Sequence, residues 1–91
     1  MTSNAEHLLK KNPKLIHLEG VKVTSHVQRD AGEWIVNTLL IQNYEVAFKY
    51  KRKHRYRSLI GSLVNLTYYP SVEHPAGIEI EIMKVVRIRQ S

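Results

Sequence analysis

The chain has no cysteine. That excludes a disulfide scaffold, thiol catalysis and thiolate-ligated zinc together. Small secreted domains usually carry such staples, so a cytoplasmic setting is expected. No apolar run approaches the roughly 20 residues of a bilayer-spanning helix, and Met1–Asn12 is too polar for a secretory leader. A membrane partner is not expected. Glycine is scarce, and Gly20, Gly32, Gly61 and Gly77 stand apart, so they form neither a phosphate loop nor a dinucleotide fingerprint. The histidines at 7, 17, 26, 54 and 74 are scattered without the spacing of a metal site. No metal and no cofactor is expected.

The most informative absence is of negative charge. No Asp or Glu occurs between Glu45 and Glu73. Within that gap, residues 49–57 read Lys-Tyr-Lys-Arg-Lys-His-Arg-Tyr-Arg. Lys49, Lys51, Arg52, Lys53, Arg55 and Arg57 are six of the 14 basic residues. Elsewhere Lys/Arg and Asp/Glu balance, so the formal net charge of +6 is entirely local. Like charges in a row repel one another, and a merely solubilising surface is better made of mixed charge. A concentrated basic stripe interleaved with Tyr50, His54 and Tyr56 attracts polyanions and offers ring faces for stacking.

The chain has 91 residues, 43% of them apolar and 24% charged, which is enough for one small folded domain with a thin core. Ser3 and Glu6 have the spacing of a capping box, which predicts a short helix over Ala5–Lys11 stopped by Asn12-Pro13. Residues 1–13 then form an N-terminal arm, and residues 14–91 a β domain.

The β assignment rests on period-two alternation. Val21, Val23, Ser25 and Val27 share one face of a first strand, against Lys22, Thr24, His26 and Gln28, with Gly20 as a bend or bulge. A turn over Arg29–Gly32 leads to a second strand over Glu33–Ile41. Gln42-Asn43 suits a tight hairpin into a third strand, where Val46, Phe48 and Tyr50 alternate with Ala47, Lys49 and Lys51. Ser58–Gly61 has room for one helical turn. A fourth strand over Ser62–Tyr69 places Val64, Leu66 and Tyr68 inward and Tyr69 outward. Pro70–Pro75 reads as a loop. Ile78, Ile80 and Ile82 alternate with Glu79 and Glu81 in a last strand whose phase slips through Met83, Val85 and Val86, as in a bulged or curved strand. Trp34 and Phe48 are expected in the core.

Five strands, the first bent and the last long and curved, predict an all-β, small five-stranded barrel. Over residues 15–89 the pattern resembles the OB-type barrel, with an SH3-like barrel as the alternative. Glu79 and Glu81 lie roughly 6.5–7 Å apart on one strand face. That separation suits paired-carboxylate chemistry, but the Ile-Glu alternation is equally that of a half-buried strand, and no enzyme is expected.

The expected activity is binding of single-stranded DNA or RNA, or of structured RNA, with weak sequence preference, because phosphate contacts carry no base information. If the third strand ran on past Arg52, Tyr50, Arg52, His54 and Tyr56 would share a stacking face. Lys49, Lys51, Lys53, Arg55 and Arg57 would then line a phosphate-tracking face. Tyr69 is a further candidate platform, and Arg87 and Arg89, with Lys84 nearby, extend the positive path. The competing expectation is docking on an acidic protein surface, or self-association through a sheet edge.

Overall fold

The computed structural model describes residues 14–91. The expected N-terminal helix lies outside the described residues. The chain forms a closed five-stranded barrel of β1 (Ile16–Ala31), β2 (Trp34–Ile41), β3 (Phe48–Arg52), β4 (Leu63–Glu73) and β5 (Ile80–Gln90). Around the barrel the order is β1-β2-β3-β5-β4, with β4 pairing back onto β1. Every pairing is antiparallel except β3 with β5. Among the described residues the only helix is a 3₁₀ turn at Pro75–Gly77, and none is long and apolar enough to cross a membrane.

Two irregularities let the long β1 serve both β2 and β4. Gly20, at φ +63°, sits in a register shift between Leu18 and Val21, the bulge that its isolation in the strand pattern predicted. A second shift, between Val23 and Ser25, reverses the phase of the remainder of the strand. Val27 therefore faces outward at 46% exposure, although the alternation grouped it with the buried Val23. His26 and Gln28 are correspondingly half-buried. On β5 a shift opposite Thr67 and Tyr68 produces the phase slip expected of that strand.

The core joins Val23, Leu39, Ile41, Phe48, Val64, Leu66, Tyr68 and Val85. Phe48 is its centre: Tyr68 meets the ring edge-on at 4.9 Å, and Tyr44 at 5.8 Å from the β2–β3 connection. Trp34 is not in the core. It falls on the outer phase of β2 at 39% exposure, because Ile35, Asn37, Leu39 and Ile41 take the inner phase.

The connections differ from expectation in four places. Asn43 adopts φ +74°, as a turn asparagine can, but β3 starts only at Phe48, so Val46 and Ala47 belong to the connection. Residues 58–61 form a turn closed by Ser62 N–H on Leu59 O (2.8 Å), without a helical turn. Pro70 lies within β4, not in a loop. It is past the end of the β1 pairing at Tyr68, on an edge where a missing N–H breaks no ladder. Finally, Ile78 and Ile80 are exposed, and of the alternating isoleucines only Ile82 is buried.

Candidate nucleic-acid interface

The basic stripe does not continue as a strand. β3 ends at Arg52, and residues 53–62 turn back across the barrel end toward β1. The two-face arrangement expected of an extended segment is therefore absent beyond Arg52. The reason lies in β1, whose side chains hold this connection in place.

Gln28 acts as a clamp on Tyr56. Its Nε2 donates to Tyr56 O (2.7 Å) and its Oε1 accepts from Tyr56 N–H (3.0 Å), so one side chain satisfies both backbone groups of that residue. His26 holds the next segment: its Nδ1 accepts from Leu59 N–H (3.0 Å). That contact assigns the tautomer, so the proton is on Nε2, which donates to Asn37 Oδ1 (2.7 Å). Asn37, only 1% exposed, donates in turn to Ile35 O (3.2 Å). Gly61 N–H on Val23 O (2.8 Å) completes the attachment. Among the described residues no buried side-chain polar atom lacks a partner, which makes this chain of bonds a rigid support. These positioning residues were missed in the sequence because the Val23/Ser25 shift, which turns His26 and Gln28 inward, leaves no trace in alternation. The readable signal was Asn37, a polar residue at an inner position of an apolar strand.

Held this way, the connection forms one wall of a cleft of about 390 Å³ at the open end of the barrel. Tyr50 and Arg52 come from β3, Tyr56 and Arg57 from the connection, and Arg89 from β5. His26, Leu59, Ile88 and Gln90 complete the lining, which contains no carboxylate. The Arg52 guanidinium lies 5.4 Å from the Tyr50 ring centre and 6.0 Å from that of Tyr56, within cation–π range of both. This stacking orients its donors before any ligand arrives. Burial raises the Tyr50 phenol above its ordinary 10.0, with Arg52 pulling the other way, so the hydroxyl is a neutral donor at physiological pH.

The other residues of the stripe go elsewhere. Lys49 pairs with Glu73 (2.7 Å) across to β4, and Arg55 with Asp30 (3.0 Å) while also donating to Gln28 O (3.2 Å). Two of the six cations are thus neutralised by acids 24 and 25 residues away in the chain. Lys53 lies over the Trp34 ring at 4.3 Å, outside the cleft. His54 is exposed on the connection, and Lys51 is exposed on β3. Arg87 borders the adjoining notch between β3 and β5. Tyr69 is half-buried on β4 opposite Lys84 and does not line the cleft. His74 and Glu79 face each other at 3.6 Å across the β4–β5 hairpin. Both ring nitrogens of His26 are engaged, by Asn37 and Leu59.

No protein-family model matches the chain, and no curated protein or solved structure gives a significant match to it.

Proposed function

We propose that this protein is a nucleic-acid-binding barrel of the OB type, which takes single-stranded DNA or RNA in the cleft between β3, the 53–62 connection and β5. The observation that carries the reading is the lining itself: Arg52, Arg57 and Arg89 converge with the Tyr50 and Tyr56 rings, and no acid opposes them. Guanidinium groups suit phosphate, being planar and always charged. A base stacked on a tyrosine adds about 1–3 kcal/mol. A recessed cleft favours a single strand, because duplex bases are already stacked on one another and face away from such a pocket. The site has arginines for phosphate and rings for any base, so weak sequence preference is expected. The choice of an OB-type over an SH3-like barrel rests on the strand order and on the single parallel pairing, β3 with β5. The protein is a binding module that performs no reaction on its ligand.

The test is fluorescence anisotropy with labelled single-stranded DNA, single-stranded RNA and duplex at two salt concentrations, with unlabelled polyglutamate as competitor. Single strands should bind best, with affinity falling as salt rises, and the R52Q/R57Q/R89Q variant should lose at least tenfold. No binding at low salt would overturn the reading. Displacement by polyglutamate as effective as by oligonucleotide would replace it with docking of an acidic protein.

A further inference from the structure

The pairing between β3 and β5 is short. It consists of Phe48 with Met83 and Lys49 with Lys84, and then the strands part. Beyond that point Tyr50, Lys51 and Arg52 pair only with β2, and Val85 and Arg87–Gln90 only with β4. The barrel wall therefore has a seam with no backbone ladder across it. Three depressions lie in series from this seam onto the paired end at Lys49 and Lys84, and they share walls. The arginine-lined cleft shares Tyr50, Arg52 and Ile88 with a notch of about 120 Å³. The notch shares Tyr50, Lys51 and Val85 with a groove of about 370 Å³ that reaches Lys84.

The charge along this path is of one sign until its far end. Lys51, Lys84 and Arg87 make no ion pair among the described residues. The first carboxylate is Glu73, which is occupied by Lys49. A single strand leaving the cleft would thus meet cations at each step, on a path bounded by an acid.

We infer that the β3–β5 seam is a phosphate track continuing from the cleft, so that the ligand is a single-stranded segment of several nucleotides and not a mononucleotide. One nucleotide occupies the cleft, with its base against the tyrosines and its phosphate on the arginines. The next phosphates lie on Arg87, Lys51 and Lys84. The seam runs along β3 for three residue steps of about 3.3 Å each, or about 10 Å. Together with the cleft, that length takes a few nucleotides, close to the lower end, about four, of what one OB-type barrel covers. The inference rests on the nucleic-acid reading of the cleft and adds Arg87, Lys51 and Lys84 to the site while leaving out Lys49.

The experiment is anisotropy competition with oligothymidylates of increasing length, on the intact chain and on two variants. For the wild type, affinity should climb with length and level off at about four nucleotides. K51Q/K84Q changes two exposed side chains, and circular dichroism checks that its fold is intact. It should bind octathymidylate at least fivefold more weakly yet bind dithymidylate like the wild type. Its salt slope should flatten by about 1.4, since each single-strand phosphate contributes roughly 0.7. R52Q/R57Q/R89Q should weaken both oligonucleotides. Undiminished octathymidylate binding by K51Q/K84Q, or a plateau already at two nucleotides, overturns the track and leaves the cleft standing. Undiminished binding by the arginine variant as well overturns both.

Discussion

Where β1 meets β2 the backbones pair without a break from Ser25 to Ala31, and the outer surface carries Val27, Trp34 and Leu40. Where β3 meets β5 the pairing stops after Lys49, and the surface carries arginines and lysines. The first wall is held by its own ladder. The second is held at a distance, by a polar chain from Gln28, His26 and Asn37 that fixes the 53–62 connection above the gap. The contrast teaches that basic residues here are effective through placement. A cation beside a closed wall finds a local partner, as Lys53 does with Trp34. Cations beside an open seam converge on a cavity.

The comparison breaks most completely at the core that both walls share. Phe48→Ala should cost about 3–5 kcal/mol, by loss of transfer energy and by the cavity left between Tyr44 and Tyr68. Urea denaturation measures it, and a loss below about 1 kcal/mol would mean that the barrel does not close around this ring. Next in size is the polar support. Asn37→Leu keeps the volume but strands the His26 Nε2 proton, which should cost about 1–3 kcal/mol. Gln28→Ala removes both bonds to the Tyr56 backbone, each worth about 0.5–1.5 kcal/mol. In that variant hydrogen exchange should accelerate at Tyr56 and Leu59 and stay unchanged over Trp34–Ile41. Equal acceleration in both regions would show that the seam and the closed wall are one cooperative unit.

A smaller effect concerns pH. Burial raises the folded-state Tyr50 phenol above 10.0, so the protonated ring is favoured by folding. That stabilisation is fully present below pH 10.0 and is lost as pH rises through the folded value. Tyr50→Phe should remove this share of the alkaline loss. Tyr68, also raised by burial, keeps its own share. An unchanged alkaline transition in the Phe variant would show that Tyr50 is not desolvated. The smallest expected effect is that of Lys53→Gln, which should leave oligonucleotide affinity within about twofold, because Lys53 lies over Trp34 and outside the cleft.

Much of the barrel was readable from alternation alone. The inner face Val64, Leu66 and Tyr68 of β4, the Gly20 bulge and the phase slip of β5 all arise from local pattern. The shift between Val23 and Ser25 was not readable, since the polar and apolar residues on either side alternate as if the strand were regular. Its consequences therefore went unseen: Val27 turned outward, and His26 and Gln28 became inner supports. Trp34 misled because ring size argues for burial, whereas the phase of β2 decides it. The stripe was visible as charge, but its partial neutralisation by Asp30 and Glu73 was not, because those acids arrive through topology. Composition located the cations. The fold decides which of them are paired with acids.

Amide NMR mapping of octathymidylate binding at low salt tests the central claim most directly. Shifts should concentrate at His26, Tyr50–Arg52, Tyr56–Leu59, Lys84 and Arg87–Gln90, with Trp34 and the outer face of the β1–β2 wall silent. Shifts centred instead on Trp34 and Lys53, or spread evenly over every lysine and arginine, would contradict a built site at the β3–β5 seam.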